Sequence, residues 1–125
     1  MIHAIYTLPE ISFVGGESQT LLFNLLTISG TDYDAGECKV GFAVIHYANK
    51  NGMPILTKEA ELKIGKSGVK SIAVVDLSPA DTIDLYGRFV YQITISDAAG
   101  ATEIPGQGLI DVTRNIHPEF IEFGG

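Results

Sequence analysis

The residues best suited to chemistry in this chain are three histidines, His3, His46 and His117. They lie far apart in the sequence, without the i, i+4 or short-loop spacing that zinc sites use. His46 continues the alternation of Val40 and Val44, which predicts the outer end of a strand that faces the core rather than a general base. We therefore expect no metal-binding residues.

The loop Asp-Tyr-Asp-Ala-Gly-Glu at positions 32–37 is a second candidate. The carboxylates of Asp32 and Asp34, with Gly36 at the turn, resemble the opening of a calcium loop, which wraps the ion in oxygens. A third alternate ligand and the downstream bidentate glutamate are missing from the pattern. An ordinary acidic turn between two strands is favoured.

Candidate nucleophiles and phosphate loops are equally weak. Cys38, the single cysteine, begins a strand-like run in which a small buried thiol is common, and no serine lies in a G-x-S-x-G elbow. The Gly-Gln-Gly at 106–108 precedes a strand, so it lacks the helix N-terminus that binds phosphate. A carboxylate pair for glycoside cleavage stays open, because its separation is a spatial quantity. We expect no enzyme, no catalytic or cofactor-binding residues and no cofactor.

Exposed tyrosines are the remaining candidates, since aromatic rings hold sugars and protein partners. Tyr33, Tyr47 and Tyr86 fall at strand ends or in loops. A platform for a carbohydrate or another cell-surface ligand is an alternative function. The absence of tryptophan weakens it, and packing at edges and corners is favoured.

Composition and charge narrow the class of protein. The chain has 125 residues, 46% of them hydrophobic, and a net charge of −7. This acidity argues against a nucleic-acid partner. The N-terminus lacks the basic flank and apolar run of a signal peptide, and no stretch approaches the roughly 20 apolar residues of a membrane span. We expect a cytoplasmic protein that binds no membrane.

The elements that must position these residues are predicted to be strands, because short β-branched and aromatic runs recur between Gly, Asn, Asp and Pro clusters. The run 18–28 is rich enough in leucine to be buried on both faces for part of its length. The alternation over 59–64 predicts one strand with one wet face. The other strands are expected at 11–14, 38–47, 69–77, 89–95 and 102–113, with core-facing Val40, Phe42, Val44, Phe89, Tyr91, Ile93, Ile95, Ile110 and Val112.

Turn signals separate these runs. Glycines at 15–16 and the stretches 49–52, 65–68 and 97–100 are expected to reverse the chain. Residues 78–82 predict a helical turn, with Ser78 as N-cap and Asp81 closing a capping box. The following strand stands where immunoglobulin-like domains carry a tyrosine corner; Phe89 has no hydroxyl, so Tyr91 takes that role in this prediction.

About seven strands with turns every 8–12 residues or so predict an immunoglobulin-like β-sandwich with Greek-key, antiparallel strands. A small up-and-down barrel is the alternative. The sandwich is expected to span 10–113, with an N-terminal arm at 1–9 and a C-terminal tail at 114–125.

The stretch 74–113 resembles the second half of immunoglobulin-like domains in phage tail and baseplate proteins. Upstream, the run 20–26 followed by Asp34, Gly36, Val40 and Phe42 is similar to the N-terminal domain family of siphophage upper baseplate proteins. The residues that carry the first resemblance are Leu77, Ser78, Pro79, Asp81, Thr82, Gly87, Arg88, Phe89, Tyr91, Ile93, Asp97, Gly100, Gly108, Ile110 and Val112.

This resemblance implies a structural protein of the virion tail, assembled in the cytoplasm, whose partners are other tail or baseplate proteins and possible further copies of the chain. It implies no catalytic residues. The apolar termini are the most specific sign of such contacts, and packing on a partner or on the same chain is equally open. The apolar residues of the two arms are Ile2, Ile5, Tyr6, Leu8, Ile116, Phe120, Ile121 and Phe123.

Overall fold

About half of the residues that the computed structural model describes, namely 8–27, 29–49 and 51–121, lie in β-strands. One short helix, α1 (Pro79–Thr82), and 3-10 turns at Tyr47–Asn49 and Pro118–Phe120 complete the elements. The all-β class predicted from the sequence is confirmed. The strands are β1 (Ile11–Val14), β2 (Gln19–Asn24), β3 (Lys39–His46), β4 (Leu56–Glu59), β5 (Glu61–Ile64), β6 (Lys70–Leu77), β7 (Gly87–Ser96) and β8 (Thr102–Thr113).

The strands form two sheets. A five-stranded sheet has the order β1-β8-β7-β3-β4, and a three-stranded sheet has the order β2-β6-β5. Neighbours pair antiparallel except β1 and β8, which run parallel from Ile11 opposite Ile110 to Val14 opposite Thr113. The expectation of antiparallel strands throughout is therefore wrong for the first strand, which joins the last one in the same direction.

The core lies between the two sheets. Phe23 of β2 meets Tyr91 of β7 with ring centroids 5.8 Å apart, and Phe42 of β3 lies 5.8 Å from the same tyrosine. Offset and tilted rings at this separation add to the stability from apolar burial. The inward faces predicted for 40–44, 89–95 and 110–112 are confirmed, since all nine of the side chains named above are buried.

The run 59–64 is two strands rather than one. Glu59 pairs with Gly41 in the five-stranded sheet, whereas Glu61 pairs with Val74 in the three-stranded sheet. Between them, the N–H of Ala60 donates to the carbonyl of Val40 at 2.7 Å. The chain crosses between sheets here without interrupting its alternation, and this crossing makes eight strands where about seven were expected.

The strand predicted at 18–28 is shorter and has one buried face. β2 ends at Asn24, and Leu22 is 61% exposed although Leu21 and Phe23 beside it are buried. The prediction from leucine content that both faces of this strand are buried is therefore wrong for the outer face. Among the described residues, no second layer covers the outer side of the three-stranded sheet.

The predicted turns and helix cap are present. Ser78 and Asp81 form a full capping box, in which the Asp81 carboxylate accepts from the Ser78 N–H at 2.8 Å. Gly100 adopts a φ of +88°, a conformation that glycine reaches without a Cβ penalty, and closes the turn between β7 and β8. These local patterns specify the connections that carry the chain from strand to strand.

Tyr91 does not form the predicted tyrosine corner. Its hydroxyl donates to the carbonyl of Pro9 at 2.5 Å, so it fastens the N-terminal segment rather than the turn that precedes its own strand. Burial raises its pKa to about 12. The ring lies over Gly108, where an added Cβ would come within 2.5 Å of it.

Candidate functional site

His46 and His117, the two histidines within the described ranges, contact different aromatic rings. His46 stands at the end of β3 with its ring 5.0 Å from that of Phe89, and His117 lies in the tail with its ring 5.6 Å from that of Phe120. His3 lies outside the described residues. Within 8–27, 29–49 and 51–121, no group of three or more His, Cys, Asp or Glu residues is placed to hold a metal ion.

The carboxylates of the acidic loop accept hydrogen bonds from other groups of the protein at its surface. Asp32 accepts a hydrogen bond from the Ser67 hydroxyl at 2.5 Å, and Asp34 accepts one from the N–H of Gly36 at 3.0 Å. The second bond is the short-range contact by which aspartate stabilises a turn. Asp34 therefore stabilises its own turn, as the sequence interpretation expects, whereas Asp32 connects the loop to the turn at 65–68.

Cys38 is partly buried and packs against the core beside Tyr33. Burial raises the pKa of its thiol, and nearby carboxylates add to the increase, while a hydrogen bond with Tyr33 acts in the opposite direction. Because the thiolate is the nucleophilic form, a raised pKa makes this cysteine a poor nucleophile near neutral pH.

The Gly-Gln-Gly sequence lies within β8 and not at the start of a helix. Gly108 pairs with Tyr91, and Gly106 pairs with Ile93 before the register shifts between the two strands. An added Cβ at Gly106 would meet only Leu8, at 3.6 Å. These glycines leave space for the Tyr91 ring and the incoming N-terminal segment, which is a packing role.

An open groove beside α1 combines a histidine with two carboxylates. It has a volume of about 440 Å³ and is lined in part by His46, Asp81 and Asp84. Burial alone would raise the pKa of Asp81, but the Ser78 N–H, the Lys58 ammonium at 3.0 Å and the Ser78 hydroxyl together hold it below its ordinary value. Asp81 is thus ionised and already paired, which suits a helix cap better than a proton donor.

The most distinctive surface is at one end of the molecule, where β3 ends, β7 begins and β8 ends. The register sets this geometry, because His46 lies opposite Phe89 and Gly87 lies opposite Val112. Six of the nine large apolar side chains that are exposed among the described residues lie on the connections and tail that leave this end. We call it the apolar end, and its members are Tyr47, Met53, Ile55, Tyr86, Ile116 and Phe120.

The apolar end is held by the turn that follows β1. Gly15 accepts a hydrogen bond from the Asn115 side chain at 2.7 Å, and Asn115 in turn accepts from the N–H of His117 at 2.7 Å. Gly16, with a φ of +92°, donates to the buried hydroxyl of Thr82 in α1 at 2.9 Å. Both the helical connection and the tail are therefore anchored to the same two glycines.

The tail is only half packed on the domain. The Ile121 side chain lies directly against Gly16 and Ile83 lies against the same glycine, so this part of the tail is seated. In contrast, Ile116 is 98% exposed and Phe120 is 78% exposed. A segment fixed by hydrogen bonds that turns large apolar side chains outward presents them for contact with another molecule.

Two arginines lie over the tyrosines of the apolar end. The Arg88 guanidinium is 5.8 Å from the ring centroid of Tyr47, and the Arg114 guanidinium is 5.8 Å from that of Tyr86. Arg88 is also paired with Asp111 at 3.1 Å. Arginine, methionine and aromatic residues are the residue types that protein interfaces enrich.

Sequence reasoning found part of this surface. It identified Ile116 and Phe120 as unusually apolar for a terminus, and it placed Tyr47 and Tyr86 at strand ends. It missed Met53, because nothing local connects that residue with the tail; only the strand register brings their connections to one end. Ile2, Ile5, Tyr6 and Phe123 lie outside the described residues.

Comparison with known proteins found no protein-family model that matches the chain and no curated protein that matches its sequence. Among the described residues, no helix is long and apolar enough to cross a membrane.

Proposed function

We propose that this chain is an immunoglobulin-like domain that serves as a structural protein of a phage or prophage tail or baseplate, acting by protein–protein contact. The setting is supported by two resemblances: that of 74–113 to immunoglobulin-like domains of phage tail and baseplate proteins, and that of the run 20–26 with the residues that follow it to siphophage upper baseplate proteins. The single observation that carries the contact function is the apolar end, with Ile116 and Phe120 held outward on an anchored tail.

The immunoglobulin-like assignment is supported by the strand order. In immunoglobulin domains of the constant type the first, second, fifth and fourth strands form one sheet, and the third, sixth and seventh form the other. Here β2-β6-β5 corresponds to the last three strands of the first set and β3-β7-β8 to the second set, with β4 as an added strand beside β3. The first strand departs from this pattern, because β1 joins the second sheet beside β8. The crossing at Ala60 supplies the connection between sheets that this order needs.

A structural role is favoured over catalysis by the state of the candidate groups. Cys38 has a raised thiol pKa, and Asp81 is ionised and bound to Lys58. Enzyme sites instead combine a perturbed acid, base or nucleophile with a pocket that encloses the substrate. The groove beside Asp81 is partly open to solvent, so it does not fully enclose a ligand.

A protein partner is also favoured over a carbohydrate. A sugar platform needs an aromatic face that is free to stack, and an arginine covers one of the two faces of both Tyr47 and Tyr86. The exposed neighbours Met53, Ile116 and Phe120 offer no hydrogen-bonding groups to sugar hydroxyls. The cell-surface carbohydrate module therefore remains the less supported alternative.

The proposal is tested on particles produced by the strain that encodes the chain. Phage particles are induced, purified on a density gradient and analysed by quantitative mass spectrometry. We expect the chain to co-sediment with particles, and we expect Phe120→Ser to lower its particle-bound fraction at least about tenfold, because a large apolar anchor dominates such contacts.

Ile64→Ser is the matched control, since Ile64 is 65% exposed but lies at the opposite end of the molecule, beside Lys70 at the start of β6. Incorporation of this variant should equal that of the unmodified chain. The proposal is rejected if the chain stays in the soluble fraction, or if infectious particles of normal composition form without its gene.

A further inference from the structure

The edges of the two sheets differ in how well they are protected against pairing with another strand. Exposed edges are usually protected by charge, proline, bulges or short length. β4 carries Lys58 and Glu59, β5 carries Glu61 and Lys63 and has a register shift, and β1 is only four residues long. These three edges therefore follow the rule.

β2 does not follow it. It is an edge strand of six residues, with the sequence QTLLFN, and it contains no charge and no proline. Its pairing with β6 runs without a register shift from Gln19 opposite Leu77 to Asn24 opposite Ile72. Of the four edge strands in the described part of the chain, it is the longest and the only one without any of these protective features.

The free side of β2 offers regular hydrogen-bonding groups. The N–H of Leu25 donates to the carbonyl of Ser71 at 2.8 Å, which fixes the direction of the backbone groups along the strand. By alternation, the N–H and C=O groups of Thr20, Leu22 and Asn24 point away from β6. A strand laid alongside would meet these groups in antiparallel register.

An apolar strip borders this edge on the outer face of the three-stranded sheet. Leu22 lies opposite Val74, and Asn24 lies opposite Ile72, so Leu22, Val74 and Ile72 are neighbours. Leu22 is 61% exposed. A further strand beside β2 would place its own side chains next to Leu22 and remove part of this apolar strip from water.

We propose that β2 is a self-association edge, at which a second copy of this chain pairs its own β2 in antiparallel orientation. A two-fold axis at Leu22 places that residue opposite its own copy and Thr20 opposite Asn24 of the partner subunit. This arrangement forms roughly six backbone hydrogen bonds, two for each hydrogen-bonded residue pair. It is independent of the proposed phage setting.

The composition of β2 favours a second copy of the same chain as its partner. β2 is neutral, so self-pairing brings no like charges into contact across the new boundary, although the chain as a whole has a charge of −7. Isologous two-fold contacts are the commonest way in which soluble chains associate, because one patch satisfies both partners. The apolar strips of the two copies then become one continuous surface.

The first test is the oligomeric state of the full chain by sedimentation velocity over a range of concentrations. We expect a concentration-dependent dimer. Leu22→Pro should lower the association constant at least about tenfold, or about 1.4 kcal/mol. The Leu22 N–H points away from β6, so this proline blocks the edge without removing a bond of the existing sheet.

Leu22→Lys is a second variant in case the proline prevents folding, and Thr57→Lys on the edge strand β4 is the matched control. Thr57 is exposed and lies opposite Ala43, so a lysine there adds the same charge at a different edge. Dimerisation should survive in this control. Far-UV circular dichroism checks that every variant is folded.

The second test locates the contact by amide hydrogen exchange. The amides of Thr20, Leu22 and Asn24 should exchange more slowly as the protein concentration rises. A monomer at every concentration would overturn the proposal, as would a dimer that persists in both Leu22 variants. Protection of these amides that does not depend on concentration would overturn it too, since the edge would then be covered by residues of the same chain.

Discussion

Substitution of Gly108 by alanine tests the packing that joins the core to the N-terminal segment. The added Cβ would lie 2.5 Å from two ring carbons of Tyr91 and 2.7 Å from its hydroxyl oxygen. The Tyr91 ring has little room to move, because Phe23 and Phe42 lie against it and its hydroxyl donates a hydrogen bond to the carbonyl of Pro9. Overpacking of this kind costs about 1–3 kcal/mol, and loss of the hydrogen bond to Pro9 adds about 0.5–1.5 kcal/mol.

Gly106→Ala in the same strand is the matched control. Its Cβ would meet only Leu8, at the ordinary contact distance of 3.6 Å. Alanine also reduces the freedom of the unfolded chain, so this variant should be unchanged or more stable by about 0.4–1 kcal/mol. Allowing for the same gain in Gly108→Ala, we expect that variant to lose about 0.5–4 kcal/mol.

Urea unfolding followed by far-UV circular dichroism measures both free energies of unfolding, since the chain has no tryptophan for fluorescence. A double-mutant cycle sharpens the result: Tyr91→Phe should cost less in the Gly108→Ala background, where the bond to Pro9 is already weakened. The reasoning is refuted if Gly108→Ala and Gly106→Ala have the same stability within about 0.5 kcal/mol, an ordinary tolerance for such comparisons.

Three further variants probe single contacts. Thr82→Val removes the fully buried hydroxyl that is hydrogen-bonded to the backbone of Gly16 and Glu17. We expect its free energy of unfolding in urea to fall by about 1–3 kcal/mol, and an unchanged free energy contradicts the anchoring role. The pKa of Tyr91 is raised to about 12, so the stability that its neutral hydroxyl contributes is complete below about pH 10 and is lost as the pH rises through 12. The difference in unfolding free energy between the unmodified chain and Tyr91→Phe should therefore shrink over that interval. A difference that stays constant with pH would contradict this prediction. Because the pKa of Asp81 is lowered, its ionised form stabilises the fold above about pH 4 and this is lost as the pH falls; Asp81→Asn should remove about 0.5–1 kcal/mol at neutral pH and nothing in acid, as measured by thermal unfolding.

The inward faces of strands were predictable where the local alternation of side chains alone decides which of them are buried. The alternation of Val40, Phe42 and Val44 specifies one inward face, and Ser78 with Asp81 specifies a cap, because both depend on residues close in sequence. The crossing at Ala60 was not predictable in this way. Side-chain alternation reports which face is buried, and both strands flanking Ala60 keep the same alternation while pairing with different sheets.

The residues of the tail and the two tyrosines of the apolar end were predictable as separate candidates, but not as one surface. Ile116 and Phe120 stand out because termini are rarely so apolar. Met53 and Tyr86 join them through the register of β3, β7 and β8, which depends on contacts between residues far apart in sequence. The exposure of Leu22 depends likewise on the missing layer over the three-stranded sheet, a fact of tertiary structure.

The parallel pairing of β1 with β8 has a mechanical consequence. The chain enters β1 at the end of the pair where Ile11 lies opposite Ile110, and it leaves β8 at the other end, where Val14 lies opposite Thr113. Tension applied through the two flanking segments therefore pulls the strands lengthwise past each other. The bonds between them bear that load simultaneously instead of opening one by one, so this short pair should resist stretching more strongly than a hairpin of equal length pulled from its open end.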